Sequence, residues 1–118
     1  MKKGALDYAG YGLAGLVLAL LIYALLYLGR CQGGLDKNAE ATATLERGLA
    51  IHDANPTAPA VAAEIRFALA RVLAKRKPQR KRAFELARQA RATFREAGAQ
   101  MDKLRTEVDA WLREQGAE

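Results

Sequence analysis

The chain has 118 residues, a net charge of +6 and 51% hydrophobic side chains. That length suits one small domain, and a core built from it is marginal. The single cysteine, Cys31, excludes an intramolecular disulfide, the lack of any serine excludes a serine nucleophile, and no phosphate loop or Cys-x-x-Cys pair is present.

The chain begins with its most apolar stretch. From Tyr8 to Gly29 no side chain is charged, and as a helix this run spans about 33 Å, enough for a bilayer core. Lys2, Lys3 and Asp7 bound it on one side and Arg30 on the other, with Tyr8 and Tyr11 near one end and Tyr23 and Tyr27 near the other. Tyrosines favour the headgroup level. The run is too long for a signal peptide, and Leu28, Gly29, Arg30 and Cys31 form no small-x-small cleavage site. Residues 1–30 are therefore expected to be an uncleaved transmembrane anchor. Ala5, Ala9, Gly12, Gly15 and Ala19 fall on one helical stripe, where small residues let a second helix approach closely. The flanking positive charges lean towards an inside amino terminus and an outside domain. Arg30 before Cys31 speaks against a lipoprotein site, and the thiol reads as an ordinary one at a helix end.

Residues 31–39 read as a linker, with Gly33 and Gly34 as its flexible joint, and residues 40–118 as a soluble helical domain. The class is all-α, because Val and Ile are sparse and never alternate with polar residues. Asp36 is a candidate N-cap for a helix reaching about His52, with Ala41, Leu45, Gly48, Leu49 and His52 on one face. Asn55 or Thr57 can cap the next helix, about Pro59 to Lys75, whose apolar face is Val61, Ile65, Ala68, Leu69, Val72 and Leu73. A third helix, about Gln79 to Ala97, turns Ala83, Ala87, Ala90, Phe94 and Ala97 inward, and Gly98 suits its C-cap. A fourth, about Gln100 to Gln115, presents Met101, Leu104, Val108, Trp111 and Leu112.

The positive excess is local. Residues 64–96 carry eleven basic and three acidic side chains, while the rest of the chain is balanced or slightly acidic. Lys75, Arg76, Lys77, Arg80, Lys81 and Arg82 crowd one connection, and Arg66, Arg71, Arg88, Arg91 and Arg95 lie on the flanking helices. Such a surface suits an acidic protein partner or anionic lipid, the latter favouring a cytoplasmic placement. It lacks the interleaved aromatics that stack on bases, which makes nucleic acid the least favoured partner. The bland alternative is a solvated loop. His52, the one histidine, has no second metal ligand at suitable spacing, so it reads as structural. No catalytic constellation, cofactor site or metal site is apparent, and an enzyme is not expected.

Thr44, Leu45, Glu46, Arg47, Gly48, Leu49, Ala50, Ile51 and His52 together resemble the second helix of a tetratricopeptide repeat, which often reads L-E-R-A-L-A-I before a proline-containing loop. Ala63 to Phe94 resembles the next complete repeat: Leu69 and Ala70 match its first-helix pair, and Ala83, Ala87 and Ala90 its small positions. Leu73 stands where tyrosine is commoner, and Arg66 where a large residue is. Residues 100–115 match a capping helix. The resemblance covers about 40–115. It implies a single-pass protein of a bacterial inner membrane that docks a protein partner, while the flanking charges lean its domain to the periplasmic side. The competing reading is a small structural subunit of a membrane complex, recognised through its transmembrane helix.

Repeat units bury their faces on neighbours, and about three are usually needed for stability. Residues 33–118 alone are therefore expected to self-associate or to unfold with poor cooperativity. Sedimentation and a thermal melt check this; a sharply two-state monomer would contradict it.

Overall fold

The computed structural model describes residues 3–56 and 58–117, with side chains from Gly12 onward. Among the described residues the fold is all-helical, with no strand. Five α-helices follow in order: α1 Lys3–Gly34, α2 Asn38–Ala54, α3 Pro59–Leu73, α4 Arg80–Ala97 and α5 Asp102–Glu114. Single 3₁₀ turns, Lys77–Gln79 and Ala99–Met101, lead into α4 and α5.

The first helix departs from the expected division into anchor and linker. It does not stop at Arg30, and Gly33 and Gly34 lie in its last turn. The physical reason is packing. Ile22 and Leu26 are buried, and the helix runs antiparallel to α2 along a close seam. A Cβ added at Gly29 would fall 2.5 Å from the Leu45 side chain, and one at Gly48 would fall 3.3 Å from Leu25 Cβ. Gly33 meets Val72 of α3 and Ala41 of α2 in the same way. The glycines are the condition for backbone approach here, and the second half of α1 is a wall of the domain.

The turn into α2 is tight. Asp36 adopts a left-handed conformation with φ 59°, one that Asp tolerates better than most residues. It is not the N-cap expected of it; Lys37 takes that position, without a side-chain bond. Asp36 instead pairs with Lys75, whose Nζ lies 3.1 Å from its carboxylate. The same ammonium donates to Asn38 Oδ1 and to the Gly33 carbonyl. That carbonyl also accepts the Asp36 backbone N–H at 3.1 Å, so the ammonium is its second donor, placed at the end of α1 where a positive charge is favoured.

The expected inner faces are in place. Val61, Ile65, Ala68, Leu69, Val72 and Leu73 are buried on α3, and Ala83, Ala87, Ala90 and Phe94 on α4. Phe67, Ala62, Ala63 and Ala70 are buried too, so α3 is covered nearly all round. That is the signature of a central helix. Its N-cap is Ala58, which has no side-chain cap. Asn55 does not serve, and Thr57 lies outside the described residues. His52 does part of that work: its Nε2 accepts the Ala58 backbone N–H at 3.3 Å. That role leaves the ring proton on Nδ1, which faces Asp53 at 3.5 Å. Gly98, with φ 95°, ends α4 as expected. Val108 and Leu112 of α5 close the core, with Ala117 folded back against it.

The seam gives a contrast in sign. Gly29→Ala forces a methyl against the fully buried Leu45 side chain and should cost about 1–3 kcal/mol. Gly34→Ala meets nothing within 4 Å and should be neutral or gain up to about 1 kcal/mol in helix propensity. Thermal melts of the two variants against the parent chain test this; equal effects would show that α1 is not packed there.

Candidate functional site

A groove of about 900 Å³ runs between α1 and α5 over one side of α3. Gly29, Arg30 and Gly33 form one wall, Leu104, Glu107, Trp111 and Gln115 the other, and Phe67, Arg71 and Val72 lie between them. Such a volume falls within the range of ligand-binding clefts.

The sequence places each of these groups for a local reason. Trp111 sits on the inner face of α5 and meets Phe67 and Phe84 edge-on, with ring centroids 5.8 and 6.0 Å apart. Edge-to-face pairs of this kind add to the burial they accompany, so the tryptophan both fastens α5 to α3 and α4 and lines the groove. Phe67 and Arg71 are one helical turn apart, and the Arg71 guanidinium lies 5.6 Å above the Phe67 ring. On the α1 side, Arg30 reaches Glu64 of α3 at 3.1 Å and covers the Tyr27 ring. These partly exposed ion pairs orient side chains more than they stabilise the fold.

The basic residues singled out from the sequence do not form one patch. Arg71 and Lys75 line the groove. Arg66 faces Asp53 at 3.7 Å, Arg82 pairs with Glu46 at 2.6 Å, and Arg91 pairs with Asp109 at 3.3 Å. Arg80 donates to the Ala74 carbonyl and Arg88 to the Ala117 carbonyl. These contacts hold helix ends and turns together and draw much of the charge inward. The side chains of Arg76, Lys77, Lys81 and Arg95 are exposed, without a side-chain hydrogen bond or ion pair among the described residues. Arg71 has no carboxylate partner among them either, and this sets it apart within the groove.

The small-residue stripe of α1 has an unexpected continuation. Nothing lies within 4 Å of a Cβ added at Gly12 or Gly15, and the side chains of Ala5 and Ala9 lie outside the described residues. The 3–4 spacing of Gly12, Gly15 and Ala19 runs on through Ile22, Leu26, Gly29 and Gly33, the residues that pack on α2 and α3. Half of this face is thus occupied within the chain. Arg30, Glu64, Phe67 and Trp111 are the groove residues that sequence reasoning did not assemble. The signal for the α1 wall was the unbroken 3–4 spacing from Gly12 to Gly33.

The segment Gly12–Gly34 is long and apolar enough to cross a membrane, and most of it is uncovered by the rest of the chain. Cys31 is exposed and unbonded. No group of side chains among the described residues has the makings of a metal site. No known protein family, curated protein or solved structure matches the chain.

Proposed function

We propose that the protein is a membrane-anchored interaction module whose groove between α1, α3 and α5 docks an acidic segment of a protein partner. The observation that carries this reading is Arg71, an exposed guanidinium without a carboxylate partner, set in an aromatic-lined groove beside Phe67 and Trp111. Aromatic anchors next to an arginine are the composition of binding hot spots. The pairing of α1 with α2, α3 with α4, and a closing α5 is compatible with two tetratricopeptide-like hairpins and a cap, in which the second half of α1 supplies the helix that the sequence resemblance lacked.

The anchor in this reading is shorter than the apolar run. Docking of Ile22–Gly33 against the domain leaves Tyr8–Leu21 free, about 21 Å of helix against a hydrocarbon core of about 30 Å. Undocking α1 would restore the length but return Leu45, Leu49 and parts of Ile65 and Val72 to water, at a cost of about 4–8 kcal/mol. A deficit of about 9 Å costs fractions of a kcal/mol per Å, or about 2–4 kcal/mol. Docking therefore prevails, and the bilayer adapts. By flanking charge the domain belongs outside the cytoplasm, an assignment that protease accessibility in spheroplasts checks.

A second reading, a structural subunit held through its transmembrane helix, draws on the exposed apolar face of α1 at Leu20, Tyr27 and Leu28. The two are separated by crosslinking and mass spectrometry of partners captured from membranes. Arg71→Glu should abolish capture while leaving the melting temperature unchanged. Exchange of residues 8–20 for an unrelated apolar helix, stopping short of Ile22 to spare the core, should preserve it. Capture that survives Arg71→Glu and is lost on the exchange would establish the subunit reading instead.

A further inference from the structure

The two turns at opposite ends of α3 differ sharply in character. One is the basic connection that leads into α4. The other joins α2 to α3, and from Ala54 to Ala63 the sequence carries no charged side chain. Asp53, which precedes this run at the end of α2, is 58% exposed and faces Arg66 at 3.7 Å. Asn55 and Pro56 are exposed, as is Pro59 at the start of α3.

The register of the seam fixes where this uncharged turn lies along α1. Gly33 meets Ala41, Gly29 meets Leu45, and Leu25 meets Gly48. The antiparallel course carried on from these pairs brings Ala54 beside Leu20. Val72 of α3 meets Gly33, and the parallel course brings Pro59 to the same level. Below that level α1 is bare: Leu13, Leu16, Val17 and Leu20 are all more than half exposed. At and just above it, on the uncovered side, stand the stacked rings of Tyr23 and Tyr27, the residue type that settles at headgroup depth.

We propose that Asn55, Pro56 and Pro59, at the α2–α3 connection, form a second membrane contact, seated in the interfacial layer of the bilayer that α1 enters. The occupant of this surface is the lipid interface itself. Three observations converge on it: the turn has no charge to keep in water, it is level with the point where α1 becomes bare, and no linker separates the domain from the anchor. The short free span draws the domain down rather than letting it stand away. The contact is apolar and geometric, not electrostatic. The basic connection lies at the far end of α3, whose 15 residues set it about 22 Å away along the helix, and it takes no part. This proposal rests on the anchoring role of α1 given above.

The test uses the full chain in phosphatidylcholine vesicles containing lipids that carry spin labels at headgroup depth. An environment-sensitive fluorophore is attached either to native Cys31, about 16 Å above Leu20 along α1, or to Asn55→Cys in a Cys31→Ser chain, with Ala54→Cys as the substitute should the first variant melt early. Headgroup-level quenching should be severalfold stronger at the turn than at Cys31, unchanged by salt, and unchanged when anionic lipid is added. Equal, weak quenching at both sites would overturn the proposal, because the domain would then stand off the bilayer. Strong quenching at Cys31 alone would overturn it by showing that α1 undocks and spans as far as Gly29. Quenching at the turn that needs anionic lipid and collapses in salt would overturn it in favour of the basic residues. Release of the chain by a carbonate wash would remove the anchor reading as well, and so is distinguishable from the other failures.

Discussion

Where Gly29 faces Leu45 and Gly48 faces Leu25, α1 and α2 approach so closely that a Cβ added at Gly29 would strike the buried Leu45 side chain and one at Gly48 would press against Leu25. The rest of the structure depends on this seam. It turns an apolar helix, whose composition is that of a membrane span, into the wall on which α2 and α3 pack. Ile22, Leu26, Leu45 and Ile65 are all buried around it, and each is worth about 1.5–3 kcal/mol when removed from water. A domain of this size has little stability to spare. Loss of the seam would remove a large share of it.

The same seam governs how the domain meets its surroundings. Because α1 is continuous from the bare apolar segment into the core, the domain is built onto that segment rather than joined to it through a linker. Lys75 reinforces the mount by binding Asp36, Asn38 and the Gly33 carbonyl at the end of α1. The groove shares this wall, since Gly29, Arg30 and Gly33 line it. Anything held there would lie at a fixed height and orientation relative to the bare apolar segment of α1. The basic connection, by contrast, stands at the end of α3 away from the bare segment. The 15 residues of α3 set it about 22 Å from that level.

Much of the fold could be read from residue periodicity. The inner faces of α3, α4 and α5 follow from the spacing of Val61, Ile65, Leu69, Ala83, Ala87, Phe94, Val108 and Leu112, because burial on one side of a helix imposes that spacing. The end of α4 followed from Gly98. What the sequence did not reveal is the double use of α1. A run of uncharged residues satisfies a bilayer and a protein core equally well, and periodicity is lost when every face is apolar. Gly33 and Gly34 looked like a joint because paired glycines usually are one; here Gly33 serves close packing. The groove was hidden for a different reason. Phe67 lies off the main apolar face of α3, and its meeting with Trp111 is set by how α5 closes over the hairpin, which no local pattern encodes. The basic residues were easy to find, but their pairing with Asp53, Glu46 and Asp109 depends on tertiary neighbours.

The central claim is that Ile22–Gly33 packs on α2 in the membrane-bound protein. A disulfide tests it most directly. The Cβ built at Gly48 lies 3.3 Å from Leu25 Cβ, close to the separation of about 3.5–4.5 Å that a disulfide bridges. In a Cys31→Ser chain carrying Leu25→Cys and Gly48→Cys, mild oxidation of isolated membranes should close this bond nearly completely, and the thiols should no longer react with maleimide. Two thiols that stay free and reactive after oxidation would contradict the account and return α1 to the role of a simple span joined to the domain by a flexible linker.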